Sequence, residues 1–278
     1  MDVSRIAAFS ENNAGGNPAG VAFVEAMPPD AEMLKTAAEI GYSETAFLTR
    51  TSEGWRVRYF APESEVPFCG HATIATGAAL GQRFGAGTYK LELNDANITV
   101  EAEATADGGW GAALQSPKTW SKPAPEELKK AVLAAFGLTA GDLDTRLPVT
   151  IANGGASHLV IALASRGILA DMSYPYEEVK SLMTSAGLTT ISLIWAENDR
   201  RFHARNPFPV GGVYEDPATG AAAAALGGFL RDHGWLKDGG TIEILQGHDM
   251  GAPSALTVTL GPTKGESVRV SGGTHVIG

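Results

Sequence analysis

Cysteine is almost missing from this chain: Cys69 is the only one in 278 residues. An intrachain disulfide is therefore excluded, and a Cys-based zinc site is not expected. The six histidines form no HExxH or similar ligand pattern, so no metal is expected either. No apolar run approaches the roughly 18 residues that suggest a membrane-spanning helix. The opening Met1-Asp2-Val3-Ser4-Arg5 starts no long apolar stretch, so neither a secretory leader nor a membrane partner is expected, and the cytoplasm is the expected location. Basic residues are scattered and the formal net charge is −10, which argues against a surface that neutralises a nucleic-acid backbone. Gly15-Gly16-Asn17 and Asn153-Gly154-Gly155 match neither GxGxxG nor a P-loop, so nucleotide binding is unsupported. No cofactor is expected.

What is present suits a globular protein: 44% apolar and 19% charged residues, in a length that fits one large domain or two ordinary ones. Strands are expected at Val3–Phe9, Gly20–Val24, Thr45–Thr49, Trp55–Phe60, Tyr89–Leu93 and Ile98–Ala102. Asp30–Ile40 has helical spacing, with Asp30 as N-cap and Gly41 as stop. The Ala-rich segment His71–Leu80 reads as a helix packed tightly in a core. Ser116–Pro125, rich in Pro, Ser and Lys, reads as a domain linker. Beyond it, helices are expected at Glu126–Phe136, Glu177–Ala186 and Thr219–His233. The expected strands there are Leu147–Ile151, Ser157–Ala162, Thr190–Ala196, Ser254–Leu260 and Ser267–Val270.

The two halves resemble each other locally. Arg58-Tyr-Phe-Ala-Pro62, Cys69-Gly-His-Ala-Thr73 and an Ala-rich helix are echoed by Arg205-Asn-Pro-Phe-Pro209, Asp216-Pro-Ala-Thr-Gly220 and another Ala-rich helix. An offset of 147 residues sets Cys69 opposite Asp216 and Glu44 opposite Ile191; an offset of 146 would instead match His71-Ala72-Thr73 with Pro217-Ala218-Thr219. Two lobes of this kind would each bury a helix whose N-terminus offers unpaired amides and partial positive charge, a fit for a carboxylate without Lys or Arg.

Several residues could carry chemistry. Glu44 opens an apolar strand, where a carboxylate is out of place; the plainer reading is a strand-edge Glu. Asp216 could cap a helix or act on substrate. His71 stands at a helix N-terminus as a capping, core or site residue. Cys69, next to it, is a buried small residue or a thiolate favoured by the helix end. Asp142, Asp144, Glu177 and Glu178 read as solvated charges.

Several segments together carry a family likeness. They are Gly16-Asn-Pro-Ala-Gly-Val21, Ser43-Glu-Thr-Ala-Phe-Leu48, Arg58-Tyr-Phe-Ala-Pro62, Glu65-Val-Pro-Phe-Cys-Gly-His-Ala-Thr73, Gly212-Val-Tyr-Glu-Asp-Pro-Ala-Thr-Gly220 and Gln246-Gly-His-Asp-Met-Gly-Ala-Pro-Ser254. In this order they resemble the PhzF, or phenazine-biosynthesis-like, family, which is related to diaminopimelate epimerase and proline racemase.

The resemblance implies an α+β fold of two pseudo-symmetric lobes, each a curled, mostly antiparallel sheet around a central helix, with the active site between them. The expected division is 1–118, with 265–278 returning to it, and 119–264. The resemblance also implies a homodimer and a small carboxylated substrate. Glu44, His71 and Asp216 fall on the family's catalytic positions, and Asn17, Gly70, Thr219, Gly220 and Ala221 on substrate-binding ones. Ala221 stands where the best-known member has Ser, so a hydroxyl contact is lost. The expected activity is a cofactor-independent isomerisation in which Glu44 shifts a proton along the substrate. The alternatives are an amino-acid epimerase, racemase or dehydratase of the same superfamily, with Cys69 opposite Asp216, and a non-catalytic binding protein.

Overall fold

The computed structural model describes residues 1–106 and 108–278. In chain order the elements begin β1 (Ser4–Ala8), β2 (Asn17–Phe23), α1 (Asp30–Ile40), β3 (Thr45–Arg50), β4 (Trp55–Phe60), β5 (Glu65–Val66), α2 (Gly70–Phe84), β6 (Gly87–Glu92), β7 (Asn97–Ala104) and β8 (Trp110–Gln115). Then follow β9 (Trp120–Pro123), α3 (Glu126–Ala135), β10 (Thr150–Asn153), β11 (Ser157–Ala162), α4 (Arg166–Ala170), α5 (Tyr176–Ala186), β12 (Thr190–Ala196) and β13 (Arg201–Pro207). The chain ends with β14 (Glu215–Asp216), α6 (Gly220–His233), β15 (Gly240–Gln246), β16 (Ser254–Leu260) and β17 (Arg269–Val276). Two compact units result: residues 1–115 with 271–278, and residues 116–270. The expected boundaries lay at 118/119 and 264/265.

In the first unit eight strands close on themselves in the order β17-β1-β2-β3-β4-β6-β7-β8-β17. Closure leaves no unpaired edge in this ring. Helix α2 runs inside it, and every residue from His71 to Gly81 is buried. Small side chains make this possible. A Cβ on Gly77 would lie 2.6 Å from Val100 Cγ2 and 2.7 Å from Ala112 Cβ; one on Gly81 would lie 2.4 Å from the Trp110 ring. Glycine costs about 1 kcal/mol against alanine in a helix interior, but here the strands leave no room for the methyl. Helix α1 covers the outside, packing Met33 and Ala37 on Ala22, Phe47 and Phe60. Asp30, read as the α1 N-cap, is its first residue; Pro29 is the cap.

The second unit repeats the pattern. Its pairs β10–β11, β11–β12, β12–β13, β13–β15 and β15–β16 run antiparallel, parallel, antiparallel, parallel, antiparallel. The first unit shows the same senses through β1, β2, β3, β4, β6 and β7. Strand β9 extends this sheet beside β10. It lies within the segment read as a linker, which is therefore partly strand. Helix α6 packs on β9, β10, β11 and β16, from both ends of the strand order, so the sheet wraps around it. A Cβ on Gly227 would meet Val258 Cγ1 at 2.7 Å, and one on Gly228 would meet Thr119 at 2.5 Å. Outside, α3 and α5 bury Val132, Val179 and Met183 against Leu159, Ile161, Ile191 and Leu193.

Three anchors complete this unit. Arg231, fully buried on α6, donates to Thr119 Oγ1 (2.7 Å) and to the Glu266 carbonyl (3.1 Å). Ser116 N donates to the Val268 carbonyl (2.8 Å) and Val268 N to Ser116 Oγ (3.0 Å), so the two ends of the unit are joined. The third anchor is His158, whose Nδ1 lies 2.7 Å from Thr190 Oγ1; that hydroxyl donates to Asn206 Oδ1 (3.3 Å). The hydroxyl's one hydrogen is thus committed, so His158 carries its proton on Nδ1. Its Nε2 is buried without a hydrogen-bond partner. Burial pushes the His158 pKa down to about 3.

The repeat does not hold one offset. Phe47 opposes Arg58 on β4, and Leu193 opposes Arg205 on β13, so Glu44 corresponds to Thr190 rather than Ile191. After β4 and β13 the offset grows, because Phe60 pairs with Glu65 but Pro207 pairs with Glu215 across a longer loop. Glu65 then corresponds to Glu215, Val66 to Asp216 and the N-cap Cys69 to the N-cap Thr219. Cys69 is therefore not the counterpart of Asp216.

Two outcomes are expected. Gly77→Ala lowers stability by about 1–3 kcal/mol despite its better helix propensity, measured by denaturant unfolding. For His158, the unfolded chain binds a proton that the folded chain refuses between about pH 6.5 and the folded value of about 3. The His158 contribution to stability therefore rises with pH through this window and levels off above it. Relative to His158→Gln, wild-type stability should fall by about 2 kcal/mol between pH 8 and pH 5, read from unfolding curves at each pH.

Candidate active site

Glu44 ends the loop between α1 and β3, just beyond Gly41, whose φ of 73° stops the helix. Its carbonyl accepts the Gly20 N–H at 3.1 Å, which ties this backbone to β2. Gly20 is needed there: a Cβ would lie 2.7 Å from Thr45 Oγ1. The Glu44 side chain turns to α2, on the opposite face from Phe47, and is only 17% exposed. Its Oε2 lies 3.3 Å from His71 Nε2. The two are close enough to attract when the ring is protonated but are not aligned for a hydrogen bond, and Oε2 is buried without one.

His71 is the second residue of α2. Its Nε2 also lies 3.3 Å from Ser43 Oγ, and its Nδ1 lies 3.3 Å from Cys69 Sγ. The ring is thus held by the residue before Glu44 on one side and by the helix N-cap on the other. Both His71 and Cys69 are buried. Below them Thr73 Oγ1 donates to the Cys69 carbonyl (2.7 Å) and meets the Tyr59 hydroxyl (2.7 Å), which fixes the turn.

The amides of this turn are a second feature. The first helical bond of α2 runs from Thr73 N to the Cys69 carbonyl, so the N–H groups of Gly70, His71 and Ala72 precede the ladder. The N-cap side chain makes no capping bond, and the first turn carries no acid. The outer helices differ: α1, α3 and α5 all open with carboxylates that answer the helix dipole. Above Gly70 a Cβ would meet nothing within 4 Å, so the backbone there is approachable. Asn17 opens β2 and is buried.

In the second unit α6 has the same character, with no acid in its first turn and no capping bond from Thr219. The amides of Gly220, Ala221 and Ala222 precede its first helical bond, from Ala223 N to the Thr219 carbonyl. Asp216 is not the helix cap. It ends β14, and Thr219 Oγ1 donates to its Oδ2 at 2.5 Å. Buried Gln246, at the end of β15, holds the turn together. Its Nε2 donates to the Asp216 carbonyl (2.7 Å) and to Thr219 Oγ1 (3.0 Å), and its Oε1 accepts from Thr219 N (3.2 Å).

Each central helix is also preceded by a matched ion pair. Arg58 grips Glu65 through both carboxylate oxygens, with Nε at 2.7 Å; Arg205 grips Glu215 the same way, with Nε at 3.0 Å. The Arg58 guanidinium holds the Glu65 carboxyl below the usual range. These pairs fix β5 and β14 on β4 and β13, and so set where each helix begins. Sequence reasoning found the arginines but not their glutamates, and gave Ser43 and Gln246 no role. Among the described residues no helix is long and apolar enough to cross a membrane.

Comparison with known proteins places the chain in a family. The family model described as phenazine biosynthesis-like protein, PhzC-PhzF, matches residues 6–277. An isomerase from Deinococcus radiodurans is 31% identical, over 97% of this chain and 90% of its own. The trans-2,3-dihydro-3-hydroxyanthranilate isomerase of Pseudomonas fluorescens is also 31% identical, over 90% of this chain and 87% of its own. The crystal structure of a PhzF-family phenazine biosynthesis protein from Bacillus anthracis superposes with a TM-score of 0.88 at 21% identity, covering 100% of this chain and 98% of that one. The α+β fold expected from the motifs is the fold of these proteins. The chain belongs to the phenazine biosynthesis-like PhzC-PhzF family, and it is an isomerase.

Proposed function

We propose that Glu44 is the general base of a cofactor-independent proton shift on a small carboxylated substrate. The observation that carries this reading is the state of its carboxylate. It is mostly buried, its Oε2 makes no hydrogen bond, and it lies 3.3 Å from the His71 ring beside a helix end with uncommitted amides. A lone pair held this way is ready to accept a proton, whereas a structural carboxylate would be paired.

In this mechanism first-turn amides hold the substrate carboxylate. Glu44 Oε2 takes a proton from one carbon and returns it to another on the same face. His71, whose ring is fixed by Ser43 and Cys69, faces the carboxylate and steadies its charge or a polar substrate group. Asp216 serves a second polar group of the substrate, its oxygen oriented by Thr219. Asn17 and Gly70 in the first unit, and Thr219, Gly220 and Ala221 in the second, are proposed as substrate-binding positions on the family resemblance. Because Ala221 offers no hydroxyl, its neighbourhood favours a substrate that needs none there. The compound named for the Pseudomonas fluorescens relative, trans-2,3-dihydro-3-hydroxyanthranilate, is the first to assay. The proposal extends to a homodimer in the cytoplasm, on the family resemblance alone; light scattering tests the dimer.

Glu44→Gln should cut turnover and solvent-deuterium incorporation at least about a hundredfold, with melting temperature and ligand binding kept. Retention of most activity would sink the assignment. Gln246→Ala strips partners from the Asp216 carbonyl and the Thr219 amide. It should cost about 1–3 kcal/mol of stability in unfolding curves and lower kcat together with it.

A further inference from the structure

We infer that Glu44, Cys69 and His71 form a binding site for a thiophilic divalent cation of the zinc type, and that the bound ion blocks turnover by occupying Glu44. The second half rests on the reading of Glu44 as base.

The three side chains offer one oxygen, one sulfur and one nitrogen, all within 4.8 Å of one another. His71 Nε2 is the shared vertex: it lies 3.3 Å from Glu44 Oε2 and 3.9 Å from Cys69 Sγ. A tetrahedral zinc with ordinary bond lengths separates its nitrogen and oxygen ligands by about 3.4 Å and its nitrogen and sulfur ligands by about 3.5 Å. The two sides that meet at His71 Nε2 lie within a few tenths of an ångström of these lengths, and rotation of the Glu44 and Cys69 side chains brings their oxygen and sulfur, which lie within 4.8 Å of each other, onto one ion. Ser43 Oγ lies 3.3 Å from the same nitrogen, and that hydroxyl or a water would complete the shell.

The surroundings suit an ion. Cys69 and His71 are buried and Glu44 mostly so, which keeps water from weakening the bonds. The positive end of α2 alone repels a cation, but it favours the thiolate form of its N-cap cysteine. As the ion binds, the Cys69 S–H bond breaks, its proton passes to solvent, and a sulfur–metal bond forms without change of oxidation state. Thiolate and carboxylate together then cancel the ion's two charges. The ion also answers the buried Glu44 Oε2 that has no hydrogen-bond partner. Sulfur and imidazole favour zinc-like ions over magnesium or calcium. The donors sit on anchored backbone: Cys69 and His71 flank one residue of the same helix turn, and the Glu44 carbonyl is bonded to β2.

The test uses the full chain, stripped by chelator. Titration with Co2+ should give a sulfur-to-cobalt charge-transfer band that saturates at one equivalent and is displaced by Zn2+. The band should vanish in Cys69→Ala and Cys69→Ser, and its midpoint should weaken at least tenfold in His71→Asn and Glu44→Gln, each checked for a native melting curve. A wild-type chain without the band, or a band that persists in Cys69→Ala, overturns the site. Zn2+ should also stop deuterium incorporation into the accepted substrate, reversibly with EDTA. Zinc bound without inhibition overturns Glu44 as base and leaves the cation site standing. An inactive Glu44→Gln in a chain that binds no cobalt or zinc overturns the cation site and leaves the base standing.

Discussion

The bore of each curled sheet admits a helix only if that helix is built of small residues. Van der Waals exclusion is the constraint, and it acts at Gly77 and Gly81 in one unit and at Gly227 and Gly228 in the other. Most else follows from it. A helix wrapped by strands has little room for bulky or charged groups along its sides, Arg231 with its fixed partners being an exception, so its chemistry gathers at its ends. At the N-terminal ends there is no acid and no capping bond. The partial positive charge that solvent-exposed helices spend on their own carboxylates is left for a ligand. The ion pairs Arg58–Glu65 and Arg205–Glu215 then decide where each end lies, by pinning the strand that feeds the helix. In this sense the substrate-binding chemistry proposed for the chain is a by-product of packing.

The two units share this frame but not its contents. Where the first has Glu44, the second has Thr190, hydrogen-bonded to a buried His158 that stays neutral. The equivalent place thus holds a carboxyl whose buried oxygen has no hydrogen bond in one unit, and a hydrogen-bonded hydroxyl in the other. Duplication supplies the scaffold twice, but a single proton carrier does not need a twin. With Glu44 in the proposed role, that asymmetry fits a proton shift better than a symmetrical two-base epimerisation, for which the matched residue would have to be an acid or a thiol.

Much of this was legible in the sequence, for reasons that can be named. Asp30–Ile40 and Trp55–Phe60 have clear periodicity and clear punctuation, and both elements run as read. Glu44 showed as an acid where an apolar strand begins. The strands β8, β13 and β15 were missed. β8, Trp-Gly-Ala-Ala-Leu-Gln, is made of small residues because it faces α2, and small residues carry little strand preference. β13 is thick with Arg, His and Asn because Arg205 serves the Glu215 pair, Asn206 the His158 network, and Arg201 and His203 pair with Glu243 and Glu197. β9 hides in proline and lysine, as short strands outside the core can. The register of the repeat was lost first to a β12–β13 connection one residue longer than that of β3–β4 and then to a longer loop before β14, which no constant offset can follow. The grouping of Glu44, Cys69 and His71 was illegible in another way: residues 25 apart become neighbours only when β3 is laid against the helix that the barrel encloses.

The first unit's barrel is interrupted in sequence by the whole of the second, and β17, which completes the ring between β8 and β1, comes last. On the ribosome, therefore, the strands up to β8 emerge with their seam open, and the unit made afterwards must form before the seam can close. The contacts that join Ser116 to Val268 make this workable, since they return the chain to the place it left. Until then the edges of β1 and β8 are exposed for the time it takes to synthesise more than half the protein. Few residues at the C-terminus do as much as these: a nascent chain released just short of them would carry every residue proposed for catalysis and still present an unsealed sheet.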